Sequence, residues 1–292
     1  MADFSFIKTT AIVGAAILAL AFTGAARAQS QGGSGSTTQS TSGQSQQSQQ
    51  NQQKPGATDQ SQQTSPQGTN APEDVDYKAF YVLKIDDFDQ QIKLGEAFVA
   101  KYPAGKYSES VYSRLTQAYY AKQNFAKMYE VGDKALAINP DDVSVLVRLG
   151  WVTPHNNADP NDMDAEHKLQ KAETELKHAL DVLGTLPKPA AMTDDDFTKA
   201  KAQTLEQAHS GLGLVYFRQG KYDQSATELQ ISTQGLTPDP TDLYVLGIDF
   251  NKLNKFSDAA DAFEKCAGQP GQLQNACKQR AAQAKQQATP AK

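Results

Sequence analysis

The feature that most constrains this chain is an interval. Leu246-Gly247 follows Leu212-Gly213 by 34 residues, and Leu149-Gly150 follows Leu115-Thr116 by 34 residues. The stretches downstream match as well. KYDQSATELQIS (221–232) aligns with KFSDAADAFEKC (255–266) and with NFAKMYEVGDKA (124–135). Self-similarity at this period marks an array of supersecondary units, each burying its apolar stripe against its neighbours. Between the matched halves of one unit lies RQGKYD (218–223), which reads as a turn between two helices. Gly220 there can take the left-handed conformation that ends a helix.

The best-matching stretches are Tyr112-x2-Leu115 with Tyr119, Leu146-x2-Leu149-Gly150, His209-x2-Leu212-Gly213 with Tyr216, and Leu243-x2-Leu246-Gly247 with Phe250. Ala172-x3-Leu176 and Ala259-x3-Phe263 follow in the second helices, and Pro140, Pro187, Pro238 and Pro270 lie near unit ends, where a helix must stop. This pattern resembles the tetratricopeptide repeat over about residues 74–288. The resemblance implies an all-α fold, an α-α superhelix, within a domain spanning 73–288. It implies a degenerate leading helix pair at 74–103, repeats near 109–142, 143–187, 206–239 and 240–272, and a capping helix at 273–287. It also explains a glycine inside a helix, which costs about 1 kcal/mol relative to Ala: paired helices of this family cross closely there. Thr116 stands where the family prefers Gly, Met128 and Ser225 where it prefers Ala, and Gly132 where it prefers an aromatic residue. Extra residues fall at 153–163 and 184–197, and Thr193 with Asp196 forms a capping pair for a long helix.

The superhelix is expected to follow an export signal and a disordered linker. Lys8 precedes an apolar run of 13 residues (11–23), and Ala26 and Ala28 are small where a signal peptidase reads. The run is shorter than the roughly 20 residues that span a bilayer. Cleavage after Ala28 is expected, leaving residues 1–28 as a signal peptide; an uncleaved membrane anchor is the alternative. Residues 29–72 are mostly Gln, Ser, Thr and Gly, too polar to offset their chain entropy by burial. A periplasmic or secreted protein follows. The net charge of −5 comes without a basic stripe, so no nucleic-acid partner is expected.

The chain offers little chemistry. Its four histidines, His155, His167, His178 and His209, have no partner four residues away, so no helical metal site is encoded. The acids of 157–166 lack the alternation and the bend glycine of a calcium loop. No phosphate-binding glycine loop and no nucleophile beside a base appears. No catalytic residue, metal, cofactor or small-molecule substrate is expected. By the resemblance, first helices line a concave groove facing a protein or peptide ligand. The groove positions are Ser113, Gln117 and Tyr120; Val147 and Trp151; Ser210, Leu214 and Phe217; and Tyr244, Ile248 and Asn251. Several are apolar, as a binding surface would be, although the protein's own insertions could fill the groove instead. Chaperone-binding relatives grip a carboxylate with Lys and Asn where this chain has Ser113 and Gln117, so that ligand class is not expected. The function read from the sequence is a non-enzymatic protein- or peptide-binding adaptor or scaffold. The alternative is a cell-envelope assembly component, of the outer-membrane-assembly or division-associated kind. Cys266 and Cys277 are the only cysteines, and the reversal AGQPGQLQNA between them brings two helices side by side. In an oxidising compartment they should form a disulfide.

Overall fold

The computed structural model describes residues 71–156, 163–235 and 238–289. The expected signal peptide, and the linker apart from its last two residues, lie outside the described residues. So do Asp159, Asn161 and Asp162 of the acidic loop.

Eleven helices and no strands make up the described residues. They are α1 (Pro72–Tyr81), α2 (Phe88–Lys101), α3 (Ser108–Ala121), α4 (Phe125–Ile138), α5 (Val143–Asn156) and α6 (Ala165–Thr185). After these come α7 (Asp194–Arg218), α8 (Tyr222–Ser232), α9 (Pro240–Lys252), α10 (Phe256–Ala267) and α11 (Gln274–Ala288). Every substantial helix contact is with a helix one or two places away along the chain. That is the packing rule of a solenoid. The apolar stripes close into successive cores, around Leu115 and Met128, around Leu176 and Leu212, and around Leu229 and Phe263.

Polar side chains start the helices. Asp87, Asn124 and Asp239 accept backbone N–H groups of Gln90, Lys127 and Thr241. At Thr193 the hydroxyl accepts from Asp196 N–H (3.1 Å) and donates to the Asp196 carboxylate (2.7 Å), a reciprocal cap that fixes the start of the 25-residue α7. Three helix ends share one device: Gln123, Gly220 and Asn254 have φ of 57°, 73° and 58°. Only glycine takes that conformation without steric cost.

The mid-helix glycines are crossings. A Cβ at Gly213 would lie 2.5 Å from Leu229, at Gly247 2.6 Å from Phe263 and at Gly150 2.5 Å from Leu176. Each faces a large side chain of the second helix in its own unit. The first unit exchanges the roles: Thr116 and Gly132 are separated by the same 16 residues as Gly213 and Leu229. Gly132 there leaves room for Leu149 of the next unit, 2.8 Å from where its Cβ would be.

The ends of the array differ. α1 is tied down by side chains: Arg114 donates to the carbonyl oxygens of Phe80, Tyr81, Leu83 and Lys84, and Tyr77 stacks on Tyr107 at 3.8 Å. At the other end, a disulfide joins Cys266 and Cys277 with a Cα–Cα distance of 5.8 Å, fixing α11 to α10. α5 runs through Thr153-Pro154-His155-Asn156, residues that read as loop from sequence. Pro154 lies in its last turn, so the helix loses one backbone hydrogen bond there and stops soon after.

Candidate functional site: the concave face

The face expected to be concave is built from α3, α5, α7 and α9, which contact one another in turn, and its centre is the α3–α5–α7 junction. Ser113 of α3 and Ser144 of α5 share a hydrogen bond across it (3.3 Å). The Tyr120 ring meets Trp151 edge-on at 6.4 Å, and the Trp151 ring lies 3.9 Å from that of His155. Trp151 Nε1 donates to Ser210 Oγ on α7 (3.2 Å). His155 Nδ1 is 2.7 Å from the Trp151 carbonyl, and burial depresses its pKa, holding the ring neutral. Beyond it, Pro154, His155, Leu214, Phe217, Arg218, Thr241 and Val245 line a crevice of about 20 Å³, room for roughly one water.

The groove is tighter than its sequence reads. Val147 is 1% exposed, Leu214 6% and Ser210 7%. The two apolar residues belong to the cores between helices and Ser210 to a buried polar network, so none of the three offers a ligand free surface. Gly211 contributes at Val147 and Ser210. A Cβ there would come within 3.2 Å of the Trp151 Cα and 2.9 Å of Leu176, so α5 and α7 approach closely and close over the side chains between them. Ser113, Gln117, Tyr120, Trp151, Phe217, Tyr244, Ile248 and Asn251 remain half-buried. Trp151 also differs from the free anchor it resembled in the sequence, since its N–H is committed to Ser210 and it couples α5 to α7. Tyr244 packs on Phe263 at 5.7 Å, and Asn251 Oδ1 is sealed without a partner.

The structure adds buried charged groups on or behind this face. Arg148, beside Val147, is 5% exposed, and its guanidinium lies over the Tyr120 ring at 5.3 Å. Desolvation lowers its pKa to about 10, so it remains cationic. Asp242 accepts from Ser210 Oγ (3.0 Å) and Ser232 Oγ (2.9 Å) and is buried, which raises its carboxyl to about 7. Asp249 is also raised to about 7 by burial. Its contact with Ser225 accommodates the protonated form: Ser225 Oγ lies 2.8 Å from the Gly213 carbonyl and 2.5 Å from Asp249 Oδ2. A hydroxyl has one hydrogen, so when Ser225 donates it to Gly213, the bond to Asp249 needs a proton on the acid. Asp242 and Asp249, seven residues apart on the apolar face of α9, were visible in the sequence as two acids within a hydrophobic stripe.

Among the described residues, no cluster of three or more His, Cys, Asp or Glu could hold a metal ion, and no helix is long and apolar enough to cross a membrane.

The neighbour-to-neighbour packing, the crossing glycines and the left-handed turns at 123, 220 and 254 together define an α-α superhelix of the tetratricopeptide type. No protein-family profile matches the chain, and no curated protein sequence is significantly similar to it. Among solved structures it is similar to a thermophilic tetratricopeptide repeat protein of Thermus thermophilus. The identity is 17%, with 73% of this chain and 96% of that chain covered, and the TM-score is 0.42.

Proposed function

We propose that this protein is a non-enzymatic scaffold that binds a protein or peptide along its concave face, in the periplasm or outside the cell. The observation that carries the reading is the strip of half-buried Tyr120, Trp151 and Phe217, contributed by three successive first helices. Half-buried aromatic side chains present large, rigid surface at low entropic cost, the composition of binding hot spots. The crevice of about 20 Å³ beside Phe217 is far smaller than a small-molecule pocket of several hundred Å³. An extended chain lying along the strip fits better than an enclosed metabolite. Export rests on the apolar run of 11–23 and on Ala26 and Ala28, and predicts a mature N-terminus at Gln29.

Tyr120→Ala and Phe217→Ala are the test, chosen because Trp151 also holds two helices together. Each variant should lose co-purifying partner from an envelope or culture fraction while its circular dichroism stays that of wild type. Capture unchanged in both variants would refute the assignment of the ligand to this face.

A further inference from the structure

The concave strip carries a cation whose partner is missing. Arg148 is 5% exposed overall, but none of its guanidinium nitrogens is sealed from solvent, and the guanidinium has no hydrogen bond and no ion pair among the described residues; it lies over the Tyr120 ring. Several other cations among the described residues are engaged. Arg114 donates to four carbonyl oxygens, and Lys101, Lys134 and Lys177 have carboxylates within 2.8 Å. The acid within electrostatic reach of Arg148 is Asp142, whose carboxylate Oδ1 is occupied by the N–H groups of Ser144 and Val145 and the Ser144 hydroxyl. The Tyr120 hydroxyl also has no hydrogen-bond partner among the described residues, which leaves two unused donor groups side by side. A guanidinium that keeps only a little contact with water and has no paired carboxylate gains from one, and a carboxylate is the group whose geometry matches its fork.

We propose that Arg148 is the anchor for an acidic side chain, Asp or Glu, of the peptide bound on the concave face. The inference rests on the groove reading above and names the chemistry of its ligand. The carboxylate would take the guanidinium fork and the Tyr120 hydroxyl, while flanking apolar residues of the peptide lie on Trp151 and Phe217. The strip continues on both sides of Arg148, toward Ser113 and Ser144 in one direction and toward Phe217 and Arg218 in the other. An internal acidic residue of a chain passing through therefore fits better than a chain terminus. A phosphate dianion would call for more than one cation at the anchor. His155 next to Trp151 is kept neutral by burial, so the strip's positive charge comes from its arginines.

Trp151 is the only tryptophan of the chain and borders the site, so its fluorescence reads occupancy directly. Three pentapeptide pools with apolar, Trp-free flanks would be titrated into the full chain. One has Glu at the centre and both ends blocked, one has Gln at the centre and both ends blocked, and one has Gln with a free C-terminal carboxylate. The Glu pool should shift Trp151 emission at a concentration at least tenfold below that of either Gln pool. Arg148→Met should erase the difference and Arg148→Lys retain part of it; if the Met variant does not fold, Arg148→Gln serves the same reading. Equal midpoints for Glu and blocked Gln would overturn the anchor while leaving peptide binding intact, as would a preference that survives loss of the guanidinium. Tighter binding of the free-carboxylate pool than of the Glu pool would overturn the internal side chain. No response to any pool would overturn both the anchor and the groove.

Discussion

Gly213→Ala should destabilise the third repeat although it improves helix propensity. The substitution gains about 1 kcal/mol of propensity in a helix interior. Against that, the new Cβ would sit 2.5 Å from both Cγ and Cδ2 of Leu229, and 3.3 Å from the Leu229 backbone nitrogen. Cγ is a branch point rather than a mobile tip, and Leu229 is fully buried, so the side chain cannot swing clear. α7 and α8 must part instead. Overpacking of this kind costs about 1–3 kcal/mol, and contact with a branch atom and backbone places it at the upper end. The net loss should be about 2 kcal/mol. Gly184→Ala is the internal control: it lies near the end of α6 with nothing within 4 Å of the new Cβ, and should stabilise by up to about 1 kcal/mol. Urea denaturation followed by circular dichroism measures both. Leu229→Ala should remove most of the penalty at 213, giving a coupling well above the additivity error of about 0.5 kcal/mol. A Gly213→Ala variant at least as stable as wild type, or a penalty unchanged in the Leu229→Ala background, would refute the crossing argument.

The left-handed Gln123 (φ 57°) makes Gln123→Gly stabilising by about 1 kcal/mol, read as a rise in the urea midpoint. Stability should fall with alkalinity. Asp249 titrates near 7 in the fold and near 4 unfolded, so the folded state holds the extra proton; its contribution is full below about pH 4 and is lost as pH rises through 7. Asp242 and Glu175, also raised to about 7 by burial, add to the same slope. Asp249→Asn keeps a donor to Ser225 and removes the charge, so it should match wild type near pH 4, and its advantage should grow by about 3 kcal/mol between about pH 5 and pH 8.5, measured by denaturation across that range. Reduction of Cys266–Cys277 should cost about 2–3 kcal/mol and loosen α10 and α11 first, seen as faster amide exchange confined to them.

Much of the architecture was legible because the repeat writes its geometry into single residues. Gly213, Gly247 and Gly150 announce crossings, Gly220 a turn, and Thr193 a helix start. The concave face was legible only in outline. Its positions followed from the period, but burial at Val147 and Ser210 depends on how near α5 comes to α7, a three-dimensional distance that Gly211 permits, and burial at Leu214 on its packing against α8, α9 and α10. That second glycine in His209-Ser210-Gly211-Leu212-Gly213 was the available signal. Arg148 gave none: next to Val147 on a helix, an arginine lying along a groove and one reaching into water have the same sequence. Asp242 and Asp249 did leave a trace, as acids on the stripe that carries Leu246, but their serine partners come from two other helices.

Placing a photo-reactive side chain at one residue tests the central claim most directly. Gln117 is half-buried on the concave helix α3, and Thr227 is exposed on the outer helix α8. In cells producing the full chain, illumination should give a covalent adduct with a protein or peptide from Gln117 and none from Thr227. Adducts from Thr227 alone, or from neither position, would contradict a ligand on the concave face.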